Sequence, residues 1–152
     1  MAEPKSSLST GTLRGMLSAV LLLAGIFHAS IVHAEDDPPL DCDNPVTQSD
    51  MNQCAYLDFD KADQELNAVW EKAKAYMVKQ DEELKAIDPE LVGGVAALMK
   101  AQRAWIDYRD GQCEAYGFQS RGGTMEPMLV SGCKAQLTRA RTKELKELYE
   151  AN

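Results

Sequence analysis

Four cysteines are the residues of this chain best able to do chemistry: Cys42, Cys54, Cys113 and Cys133. As thiolates they could hold zinc; oxidised, they could close two disulfides. A four-cysteine zinc site draws on closely spaced pairs, and the gaps here are too wide for that. An even count in a small exported chain reads as two disulfides. Three pairings are open to the sequence. The reading favours Cys42–Cys54 and Cys113–Cys133, because each would staple a loop to the helix beside it. Neither a metal nor a cofactor is expected.

Export is read from the first residues. Lys5 and Arg14 give a positive start, and Met16 to Phe27, MLSAVLLLAGIF, is an uncharged apolar core. Val32-His33-Ala34 then places short residues where a signal peptidase cuts. Residues 1–34 are therefore expected to be a secretory signal cleaved after Ala34, leaving a periplasmic or secreted protein with no stable membrane insertion. The rival, an uncleaved anchor over residues 15–32, has about eighteen residues, at the short edge of a bilayer span. Pro39-Leu40-Asp41 before Cys42 is not the small, apolar run that lipoprotein processing needs.

Both histidines, His28 and His33, fall in that segment. The remainder lacks the usual general base, the Ser–His and Cys–His nucleophile pairs and every histidine-containing zinc site. No catalytic residue is expected, and the chain is read as a protein that is not an enzyme. Losing Glu3, Lys5 and Arg14 takes the formal charge from −8 to −9. That surplus of carboxylates argues against nucleic acid and favours basic partners, or solubility alone.

A second group worth singling out is AQRAWIDYRD, residues 101–110. On a helix Gln102, Trp105, Arg109 and Cys113 share one face, with Leu98 and Leu91, so that face is expected to point inward. A buried glutamine and arginine need partners. Asp63 and Asn67, four apart on the preceding helix, are placed to supply them. An Asp63–Arg109 ion pair and an Asn67–Gln102 hydrogen bond are expected, with Arg139 or Arg141 able to join. Asp63, Asn67, Gln102, Trp105 and Arg109 are thus read as a structural polar network that fixes helix register. Trp, Tyr and Arg also dominate interface hot spots. Tyr108 and Asp110, off the inner face, are candidates for partner binding, as is Arg121 in the loop GFQSRGGT (117–124).

Three helices must position these groups. Residues 35–46, EDDPPLDCDNPV, carry three prolines and no periodicity and read as an extended leader. Thr47 is an N-cap, with Asp50 in the first turn. Met51, Ala55, Phe59, Ala62, Leu66, Val69, Ala73 and Tyr76 recur at steps of three and four, so a helix runs from Thr47 to near Lys85. Asp88-Pro89 signals the next start, followed by Leu91, Val95, Leu98, Gln102, Trp105, Arg109, Cys113 and Tyr116. Thr124 is read as the cap of a third helix with Pro127 in its first turn and Val130, Cys133, Leu137, Leu145 and Leu148 as its stripe. The fold expected is all-α, an antiparallel three-helix bundle stapled by two disulfides at one end, over residues 47–152.

Four segments then carry a resemblance. CDNPVTQSDMNQCA (42–55), ADQELNAVW (62–70), LMKAQRAWIDYRDGQC (98–113) and CKAQLTRARTKEL (133–145) together resemble the lysozyme inhibitor LprI-like domain of bacterial exported proteins. The resemblance implies a small, helical, disulfide-linked protein of the periplasm or surface and, for some relatives, inhibition of animal-type lysozyme. It brings no catalytic residues. The function expected is an exported helical binding protein that inhibits lysozyme or engages another basic protein. The alternative is a structural or accessory envelope protein with no lysozyme contact. Protein recovered from the periplasm should have the intact mass of a chain beginning at Glu35; a mass retaining residues 1–34 would refute the cleavage.

Overall fold

The computed structural model describes residues 39–150. The expected secretory signal, residues 1–34, and the first residues of the expected leader lie outside them. Three helices follow in order: α1 (Gln48–Ile87), α2 (Gly94–Gly117) and α3 (Glu126–Glu150), with single 3-10 turns at Pro89–Leu91 and Phe118–Ser120. No strand occurs among the described residues. At 1.5 Å per residue the 40 residues of α1 span about 60 Å, against about 36 Å for the 24 of α2.

Helix α1 starts where the sequence places it. The Thr47 hydroxyl accepts the Asp50 N–H at 3.1 Å, and the Asp50 carboxylate accepts the Thr47 N–H at 2.9 Å. This reciprocal box satisfies two of the N–H groups that a helix start leaves without partners. Its buried stripe is Ala62, Leu66, Val69 and Ala73, at steps of four, three and four. Helix α2 turns back along it, burying Leu98, Gln102, Arg109 and Cys113. Helix α3 returns parallel to α1 and lies mainly against it. Paired residues on the two are a near-constant 80 or 81 positions apart: Gln48 with Met128, Asp58 with Arg139, Glu65 with Lys146. That constancy is what two parallel helices in fixed register require. The core is Leu66, Val69, Ala73, Leu98 and Leu145, flanked by Trp70, Met77, Trp105, Leu148 and Tyr149. Each fully buried leucine or valine contributes about 1.5–3 kcal/mol.

Two expectations about helix starts are corrected. The Asp88-Pro89 signal is spent on one 3-10 turn, in which Asp88 accepts the Glu90 N–H at 2.9 Å. Val92 is then extended, and α2 begins at Gly94. Leu91 is consequently 53% exposed and off the inner face. Gly93 offers no side chain to cap α2, so α1 does it instead. The Asp81 carboxylate accepts the N–H groups of Gly93, Gly94 and Val95 at 3.0, 2.7 and 3.0 Å. A Cβ at residue 94 would come within 3.1 Å of that carboxylate and 3.3 Å of the Met77 sulfur, so glycine leaves room for the cap. At the third helix, Thr124 is not the cap. Its carbonyl accepts the Asn52 amide at 2.9 Å, and α3 starts two residues later at Glu126, with Pro127 in the first turn. The Glu126 carboxylate reaches back to the Gly122 N–H at 2.8 Å and to Arg121 at 2.7 Å, holding the loop as a turn.

Both disulfides are formed, Cys42–Cys54 and Cys113–Cys133, as expected, and no cysteine is free. They close separations of 12 and 20 residues. In the chain-entropy account each contributes about 3 kcal/mol, mainly by restricting the unfolded chain.

The Asp81 cap sets a pH dependence. The N–H groups of Gly93, then Val95 and Gly94, hold its carboxyl below the ordinary value of 3.8. A depressed folded value stabilises above the unfolded value and is lost as pH falls through the folded one. Asp81→Ala should therefore lower the melting temperature at neutral pH. The gap should narrow as pH drops below about 4, where the unaltered protein loses the same contribution. A pH-independent gap in thermal melts would count against the cap.

Candidate functional site

Arg109 is the point on which the polar groups converge. Its side chain is 10% exposed, and it reaches all three helices. One Nη1 donates to Asp63 Oδ1 on α1 at 3.1 Å and approaches Thr138 Oγ1 on α3 at 3.4 Å. Nε donates to Asp110 Oδ1 at 2.9 Å. The guanidinium carbon lies 5.1 Å from the Trp105 ring centre and 5.2 Å from that of Phe59, so two aromatic faces replace water around it. Lys134 Nζ adds a contact to Asp110 Oδ1 at 3.2 Å. Burial pushes the Asp110 carboxyl up, but Arg109 and Lys134 outweigh it and hold the group below its ordinary value.

The other members of the expected network sit nearby with different partners. Gln102 Oε1 accepts Arg141 Nε at 3.0 Å, and Asn67 Nδ2 donates to Asp63 Oδ2 on its own helix at 3.1 Å. Asn67 is exposed. The expected Asn67–Gln102 bond is thus replaced by two others, although both residues border one groove with Trp70, Met99, Arg103 and Ile106. Arg141 joins the network and Arg139 instead forms a two-bond pair with Asp58. Thr138 and Thr142 are buried on α3, and Thr142 donates back to the Thr138 carbonyl at 2.9 Å. Among the described residues no buried side-chain nitrogen or oxygen is left without a partner. Sequence reasoning missed Thr138, Thr142, Lys134 and the role of Phe59. The steps of three and four from Ala135 through Thr138 and Thr142 to Leu145 carry the signal, once threonine is allowed on an inner face.

The three candidates for partner binding are separated by the structure. Tyr108 is 57% exposed. Asp110 is engaged with Arg109 and Lys134. Arg121 is tied to Glu126 at 2.7 Å and lies over the Phe118 ring at 4.5 Å, so its charge is used within its own loop. Tyr108 borders an open groove of about 420 Å³ between α2 and α3, with Gln112, Tyr116, Met128, Leu129, Gly132, Cys133, Gln136 and Leu137. None of these carries a charge. No group of three or more His, Cys, Asp or Glu able to hold a metal occurs among the described residues, and no helix of theirs is long and apolar enough to cross a membrane.

A family model described as lysozyme inhibitor LprI matches residues 42–145. An uncharacterised protein of Rhizobium meliloti (strain 1021) is 57% identical over 114 residues, covering 75% of this chain and 82% of that relative. No solved structure matches.

Arg109→Ala should cost about 2–3 kcal/mol. That lies below the figure for a fully dry pair, because Asp63 is 38% exposed and can rehydrate. Asp63→Ala should cost about 1 kcal/mol, and the double variant should cost less than the sum of the two. Chemical denaturation of the four proteins measures this; strictly additive losses would show that the two side chains are not coupled.

Proposed function

We propose, from the premise that this chain belongs to the lysozyme inhibitor LprI family, that it is an exported inhibitor of animal-type lysozyme. The observation that carries the reading is the extent of the match. It runs from Cys42 to Leu145 and so takes in both disulfides and the Arg109 contacts, which is the stapled bundle up to the last turn of α3. Two disulfides in a chain this small support a location outside the cytoplasm. The family is described as an inhibitor, and past residue 34 this chain has no histidine to serve as a general base.

The physics of the encounter supports the same reading. Lysozymes of the animal type are strongly basic, and a partner of formal charge −8, or −9 after the expected cleavage, is drawn to them over a distance of several ångströms. Inhibition then requires covering the cleft that holds the two catalytic carboxylates. A bundle whose side chains are fixed by ion pairs and disulfides loses little conformational freedom on docking, which leaves more of the contact energy for affinity.

The second reading, an accessory envelope protein without lysozyme contact, draws on one observation. Many of the carboxylates already have partners inside the molecule: Asp50, Asp58, Asp63, Asp81, Asp110 and Glu126. Clearing of a peptidoglycan suspension by lysozyme separates the two. The oxidised protein should slow clearing in proportion to its concentration, and more strongly at low salt. Unchanged clearing at a large molar excess would leave the accessory role.

A further inference from the structure

We infer that the lysozyme-contacting surface is the α2 side of the α2/α3 groove, with Tyr108 and Tyr116 as anchors and Asp107 and Glu114 as the charges that meet a basic protein. This rests on the inhibitor reading and names its surface. On α2, Tyr108, Gln112 and Tyr116 are four residues apart, so they form one stripe along the groove edge. Tyr108 is 57% and Tyr116 43% exposed. Large aromatic rings left in water over an uncharged groove resemble the centre of a protein interface before its partner arrives. Gln112 and Gln136 supply hydrogen-bonding groups along the two walls.

Around the helix from this stripe, on the solvent side of α2, lie Asp107, Gly111 and Glu114, at steps of four and three. Both carboxylates are exposed, and neither takes part in an ion pair among the described residues. They differ in this from Asp63 and Asp110, whose charge is already balanced by Arg109 and Lys134. Gly111 between them has open space above it, so a partner side chain can approach the helix backbone there. Free negative charge at the rim of an exposed aromatic surface is the complement of a basic protein. The other apolar groove, between α1 and α2, is smaller and shows no paired tyrosines. It is lined by Trp70, Met99 and Ile106 but also by Arg103, a cation in no ion pair among the described residues.

Binding of the disulfide-intact protein to animal-type lysozyme, followed by calorimetry and by association kinetics, tests the surface. Tyr108→Ala and Tyr116→Ala should each weaken binding at least about tenfold without changing the melting temperature, because both rings are exposed. The charge reversals Asp107→Lys and Glu114→Lys should slow association several-fold at low salt, an effect that high salt removes. Leu57→Ala, on the outward face of α1, should bind as the unaltered protein does. Undiminished binding by the tyrosine and charge variants, while the unaltered chain binds lysozyme, would overturn the surface and leave the inhibitor reading standing. No binding by the unaltered chain would overturn both.

Discussion

A guanidinium removed from water must be surrounded by partners, and Arg109 takes them from every helix. Asp63 and Phe59 come from α1, Trp105 and Asp110 from its own helix, and Thr138 from α3. An unpaired buried charge costs several kcal/mol, so sliding any helix by one turn would strand it. The register of the bundle and the solvation of one side chain are therefore the same problem. The apolar core does not impose this by itself. Alanine at 62, 73 and 135 and leucine at 66, 98 and 145 would tolerate small sliding more readily than a directional ion pair does.

The rest of the polar architecture repeats that arrangement at lower stakes. Gln102 meets Arg141, Asp58 meets Arg139 and Glu65 meets Lys146, all across helices. These pairs are partly or fully exposed, and each is worth little alone. The two that join α1 to α3, Asp58–Arg139 and Glu65–Lys146, mark one and the same offset between those helices. What remains unpaired, on the outer side of α2, is by contrast available to something else.

Much of this was legible in the sequence, for reasons that differ by feature. Steps of three and four exposed the helices, and the local Thr47–Asp50 box fixed the first start. The cysteine pairs are neighbours in sequence, so the favoured pairing also closes the shortest loops. Asp63 could be matched to Arg109 because antiparallel helices obey simple register arithmetic once one end is fixed. The failures share a cause. The cap of α2 comes from Asp81, more than ten residues upstream, and no local motif announces it. Thr124 resembled a cap, but its carbonyl is held by Asn52 from another helix and the start moved to Glu126. Asn67 was set against Gln102 by register alone, whereas side-chain reach gave it Asp63 and gave Gln102 the longer Arg141. Thr138 and Thr142 were passed over because a hydroxyl counts as polar until its bond to the backbone is seen. Of the three candidates for partner binding, Tyr108 alone kept its side chain free of intramolecular polar partners.

The pairing of cysteines by sequence order has a topological result. Cys42–Cys54 joins the leader to α1, and Cys113–Cys133 joins α2 to α3, so neither bridge crosses the Asp88–Gly93 connection. As a covalent graph the protein is two closed loops on a string. A single backbone cut in that connection would divide it into two chains with no bond between them, α1 with the leader and α2 with α3. Only non-covalent contacts would then keep them as one body: side-chain packing, the Arg109 contacts, the Asp81 cap of α2 and the ion pairs between α1 and α3. The same graph means that the first loop can close before the residues of the second have been synthesised, so neither bridge has to wait for the other or be reshuffled to reach its final partner.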